Sequence, residues 1–179
     1  MARPTTRTPT LSWGVKASFR GYVLALSDGA VVLTDRYTSH DGTAFVFEAA
    51  PGEPAGAGDG APCLLRFRGG VEFSGHRGIL MVRIRDPWLH LAGGRGRLSI
   101  MHPAYREPTP ERVDLAELHD LRAESEDDTV VWWTATPRLR PTGVRTFGET
   151  YAAGTALDPL TFSVPAPRPA GAPPASPAP

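Results

Sequence analysis

The chain has 179 residues, enough for one domain with tails and a substantial core. Nineteen lysines plus arginines balance 19 aspartates plus glutamates, so no net charge draws the protein to nucleic acid or to an anionic membrane. The single cysteine, Cys63, excludes an intrachain disulfide and a cysteine-based zinc site, and no run of about 20 apolar residues is present to span a membrane.

Residues 1–10 are polar with two prolines and read as a disordered lead. They hold no apolar stretch of signal-peptide length. The expectation is a cytoplasmic protein as the sequence is written, or an extracellular or cell-surface one if the true start lies further upstream. From Leu11 to Tyr22 apolar and polar residues alternate. As a strand, this run puts Trp13, Val15, Ala17 and Phe19 on one face and Lys16, Ser18, Arg20 and Tyr22 on the other.

Further short alternating runs predict strands near 11–26, 29–37, 43–49, 63–75, 79–85, 88–92, 96–102, 113–119, 128–136 and 143–147. Ser27-Asp28-Gly29, Asp41-Gly42, Gly69-Gly70 and Gly93-Gly94 punctuate them as turns. A glycine-rich stretch, 51–60, reads as a mobile loop. Residues 113–119 fit neither period cleanly and are read as strand, with a helical turn open at 115–122. The segment 165–179, nearly all Pro, Ala, Gly and Ser, cannot bury enough surface to order itself and reads as a flexible tail. The ordered domain is placed at 11–164. Many short strands with regular turns point to an antiparallel sandwich or barrel, and the fold class is taken as mostly β, a two-sheet antiparallel sandwich-like domain with at most a short helix.

The chain contains no GxSxG elbow, P-loop, GxGxxG or HExxH. None of its five histidines pairs with another at HxH or HxxxH spacing, which argues against a dedicated zinc site. What remains is a phenol and an imidazole, Tyr22 and His76, each following a glycine that lets a ligand or another backbone come close. Ferric iron is hard and favours an anionic oxygen, and tyrosine is a known axial ligand of haem. A free phenol titrates near pH 10, so ionisation needs the iron itself and a hydrogen-bonded imidazole. Arg20 offers a partner for a haem propionate. Residue types alone leave a plainer reading open, in which the tyrosine is an amphipathic edge residue and the histidine a turn residue.

The run Trp13-Gly14-Val15-Lys16-Ala17-Ser18-Phe19-Arg20-Gly21-Tyr22 resembles the opening signature of the haem-transport-associated (HtaA) domain family of actinobacteria. Gly70–Leu80 resembles that family's V-x-F-x-G-H-x-G-x-L block, and Asp86-Pro87 the D-P that follows it. Phe147–Leu160 resembles its closing F-x-x-x-Y-x-x-G-x-x-L-D-P block. The likeness covers roughly residues 11–164. It implies a two-sheet β fold that holds non-covalent ferric haem b in a shallow pocket. It implies Tyr22 as axial ligand, His76 as hydrogen-bond support, and an aromatic from Phe147, Tyr151 or Phe162 against the porphyrin. The implied role is haem binding and transfer in iron acquisition or intracellular haem handling, with donor or acceptor proteins as partners and no enzymatic step. Two rivals stand beside it: an interaction module of the same fold that docks protein or glycan, and a haem-dependent enzyme.

Overall fold

A computed structural model describes residues 8–52, 62–105, 108–126 and 130–166. Most of the lead, most of the glycine-rich loop and most of the tail therefore lie outside the described residues. Twelve strands form: β1 (Thr10–Trp13), β2 (Ala30–Leu33), β3 (Thr38–His40), β4 (Phe45–Ala49), β5 (Cys63–Arg68), β6 (Gly70–Gly75), β7 (Leu80–Arg85), β8 (Trp88–Ala92), β9 (Arg95–Met101), β10 (Arg112–Glu126), β11 (Val130–Leu139) and β12 (Leu160–Pro165). One α-helix, α1 (Ala17–Ala25), and two 3-10 segments, His76–Gly78 and Pro141–Phe147, complete the described elements.

The domain is mostly β, as its alternating sequence predicts, but it is not a plain two-sheet sandwich. The larger sheet runs β1-β12-β11-β10-β9-β8-β5-β4-β3, and β1 also pairs with β4, which closes eight of its nine strands into a barrel with β3 at the edge of β4. The four residues of β1 are the closing stave. Leu11 faces Phe162 on one side and Phe47 on the other, and Trp13 faces Leu160 and Phe45. The long strand β10 bends around the barrel through register shifts after His119 and Ala123, with Asp120 at φ 53°. The second sheet is small: β2-β6-β7.

The predicted strand over 63–75 is two strands in two sheets. Gly69, at φ 103°, lets the chain pass from one to the other, and a Cβ there would lie 2.2 Å from Thr38 Oγ1. The strand predicted at 143–147 is a 3-10 turn instead, opened by Pro141 and packed under Leu115 by Gly143. The open choice at 115–122 resolves to strand. β3 and β12 were not foreseen.

The main correction concerns residues 14–25. The chain leaves β1 after Trp13, Val15 takes a left-handed φ of 65°, and α1 begins at Ala17. The alternation that reads as strand serves equally as a helical stripe, because Phe19 and Val23 at i, i+4 are both buried. Ala17, which a strand would bury, is exposed. The helix has no side-chain cap of its own at Lys16 and no acid in its first turn. Its cap comes from the far end of the domain: Asp158 Oδ1 accepts the Ala17 N–H at 2.9 Å.

Aromatic edges join the three layers. Phe19 of α1 meets Phe73 of the small sheet at 5.3 Å and Phe147 at 5.6 Å, and Phe73 meets Phe45 of the barrel at 5.7 Å. The helix is thus pinned over the seam between barrel and small sheet, with its outer face free.

Candidate functional site

The outer face of α1 carries Tyr22, 49% exposed. Its flank toward solvent is made of small residues: Ser18, Gly21 and Ala25 are all exposed, and a Cβ on Gly21 would meet nothing within 4 Å. At the end of β6 the chain turns sharply and presents His76. Tyr22 Oη and His76 Nε2 lie 2.5 Å apart, and the ring centroids are 6.0 Å apart at 44°. When the phenol is neutral its hydroxyl donates to Nε2; as a phenolate it accepts from Nε2–H. The structure therefore brings together two groups separated by 54 residues.

The corner that presents His76 is unusual backbone. His76, Arg77 and Gly78 have φ of 50°, 55° and 87° in succession. Left-handed conformation costs a non-glycine residue about 1–2 kcal/mol. Asp28, in the turn after α1, compensates: its Oδ1 accepts the His76 N–H at 3.2 Å and its Oδ2 the Arg77 N–H at 2.5 Å. The Arg77 N–H is the main reason the Asp28 carboxyl titrates below its ordinary value, with the His76 N–H and the imidazole adding to it against desolvation. One large apolar side chain, Ile79, is 89% exposed just past the corner.

The other expected site residues lie elsewhere. Arg20 is two residues from Tyr22, which on a helix sets it on the opposite flank. Its guanidinium binds Asp158 Oδ2 at 3.5 Å and the Thr43 carbonyl. The propionate role expected for Arg20 rested on a shared strand face that does not exist. Phe147 and Phe162 are fully buried in the core, so neither ring is available to a surface ligand in this conformation. Phe162 stacks under Trp133 at 6.4 Å. Tyr151 is half-buried against Phe147, with the Lys16 ammonium 5.3 Å from its ring, near the start of α1 and away from Tyr22.

Two residues were missed as site components. Asp28 was read only as a turn marker, and Asp158 only as part of the closing block. Two clefts, of about 900 and 1020 Å³, open elsewhere, one beside His90 and Arg97 and the other beside His102 and Met81. Neither is lined by Tyr22 or His76. Among the described residues no cluster of three His, Cys, Asp or Glu stands ready for a bare metal ion. No described helix is long and apolar enough to cross a membrane.

The order of blocks seen in the sequence is matched along nearly the whole domain, because residues 8–163 fit the family model described as Htaa. The chain belongs to the HtaA family. Among solved structures, the C-terminal domain of HtaA from Corynebacterium glutamicum is similar at a TM-score of 0.73 and 25% identity, covering 89% of this chain and 97% of that one. The N-terminal domain of the same protein gives 0.68 at 22% identity, covering 90% and 98%. The heme binding protein HtaB of that organism gives 0.62 at 22% identity, covering 88% and 94%. The last two likenesses speak for the HtaA fold alone. No curated protein matches the chain.

Proposed function

We propose that this HtaA domain binds ferric haem b non-covalently through the phenolate oxygen of Tyr22, with His76 as its hydrogen-bond partner, and hands the haem on unchanged. The observation that carries this reading is the 2.5 Å contact between Oη and Nε2 on an exposed surface. An imidazole so placed can hold the phenol's proton at Nε2 and would steady the phenolate by donating from that nitrogen. Haem supplies a hard ferric centre and a broad apolar plate.

The residues present suit both. The Ser18, Gly21 and Ala25 flank keeps the helix surface low around Tyr22, and the exposed Ile79 offers apolar contact. With Arg20 engaged by Asp158, the exposed Arg77 beside His76 is the cation we assign to a propionate. Cys63 is the one cysteine in the chain, so the paired thioether attachment of c-type haem is unavailable. One protein ligand on an open face suits a carrier that must release its cargo to an acceptor. The heme-binding relative HtaB shares this fold, which supports the same reading.

Haemin titration of the wild type and of Tyr22→Phe tests it. The wild type should develop the Soret and charge-transfer bands of phenolate-ligated ferric haem, and Tyr22→Phe should lose them. Identical spectra from the two proteins would overturn the assignment, and no Soret change in the wild type would favour a domain that docks protein or glycan.

A further inference from the structure

We infer that Asp28 is a positioning residue for His76: its carboxylate locks the left-handed corner that aims the imidazole at Tyr22. The inference rests on the haem reading for its purpose, but its physical content concerns only this chain's own groups. Asp28 lies six residues after Tyr22, in the turn that ends α1. Each of its two oxygens takes one amide of the corner, Oδ1 from His76 and Oδ2 from Arg77. A closed circuit results: Tyr22 side chain, end of α1, Asp28, corner backbone, imidazole. The distance between Oη and Nε2 is fixed by that circuit as a whole.

A second observation supports it. The corner and the helix end approach closely where Gly75 meets Leu26 and Gly29. A Cβ on Gly75 would lie 2.5 Å from Leu26 Cδ1 and 3.9 Å from the Gly29 Cα. The close approach brings Asp28 within reach of both amides. Asparagine cannot replace it, because its single oxygen satisfies one N–H and its NH₂ opposes the other.

The experiment uses the full chain, first without haem. In ¹⁵N-labelled protein, Asp28→Ala and Asp28→Asn should both lose the protected Arg77 amide and shift the His76 imidazole nitrogens toward those of a free histidine. Asp28→Asn, which keeps the side-chain volume, carries the test if the alanine variant folds poorly. With haem bound, Asp28→Asn should speed haem loss to apomyoglobin about tenfold, in the range typical of groups that orient a ligand. In a His76→Ala background the same substitution should add nothing, because Asp28 acts through that imidazole. Unchanged imidazole resonances, or an undiminished effect in the His76→Ala background, would overturn the inference. A Tyr22→Phe variant with an unaltered haem spectrum would overturn the haem reading instead, and the haem-free resonances would still decide the role of Asp28.

Discussion

Tyr22 and His76 show how much chemistry two side chains carry once the fold has chosen their separation. The residue types are compatible with a hard, oxidised iron, and it is the family resemblance that singles out that use over a plain edge tyrosine and turn histidine. Their spacing of 54 residues said nothing about contact. Removing the imidazole should leave Tyr22 free to bind but poorly held. His76→Ala is expected to weaken haemin affinity about 10–100-fold while keeping a phenolate spectrum, measured by titration at fixed pH. Affinity equal to wild type would mean that the contact at 2.5 Å is incidental. Asp28 was legible only as a turn former, since nothing local shows that its carboxylate receives amides 48 and 49 residues away.

At the scale of elements, α1 is the part of the fold that the sequence misrepresented. Its nine residues alternate convincingly, and its first turn lacks a local cap. The helix forms because Asp158 supplies that cap from 141 residues away. The same residue accepts Arg20, while its backbone carbonyl accepts the Trp13 indole N–H at 3.0 Å and its N–H donates to the Val15 carbonyl at 3.0 Å. That last bond holds Val15 in its left-handed turn. Asp158→Ala should therefore cost about 2 kcal/mol, from a lost cap and from the partly buried Arg20 left without its anion. A lowered urea midpoint at unchanged m would show it. Arg20→Met, which keeps the cap, should cost clearly less; equal losses would refute the capping role. The closing L-D-P block is thus a support for the helix that carries Tyr22.

For the molecule as a whole, the barrel's stability should depend on pH through His90. Its ring lies between Arg97, which approaches Nδ1 at 3.3 Å, and Ser99, whose Oγ is 2.9 Å from Nε2. Burial first, then the Arg97 charge, holds this histidine below its ordinary value, although Asp114 acts in the opposite sense. The unfolded chain then binds more protons than the folded one as pH drops below about 6.5. Stability from this group is complete above that pH and declines below it. Asp41, whose carboxyl is held at about 2 mainly by the Ala44 and Thr43 amides, loses its contribution only in stronger acid. Melting temperature should fall between pH 7.5 and 5 in the wild type, and fall less in His90→Gln. Parallel curves would exclude His90 as the cause.

The sequence by itself determined the strand-rich class and the family, matched over residues 8–163, and it singled out Tyr22 and His76 as the candidate pair. Alternation and turn residues are local signals, and the ordered blocks are carried by residue identity. Tertiary structure alone decided that eight strands close into a barrel, that Tyr22 rides on a helix, that Arg20 faces Asp158, and that Phe147 and Phe162 belong to the core. Each of those outcomes depends on pairings between distant segments: β1 with β4 and β12, Asp158 with Ala17, Asp28 with His76. Contacts of that kind leave no periodic trace along the chain, because their free energy is gained only when both partners are already in place.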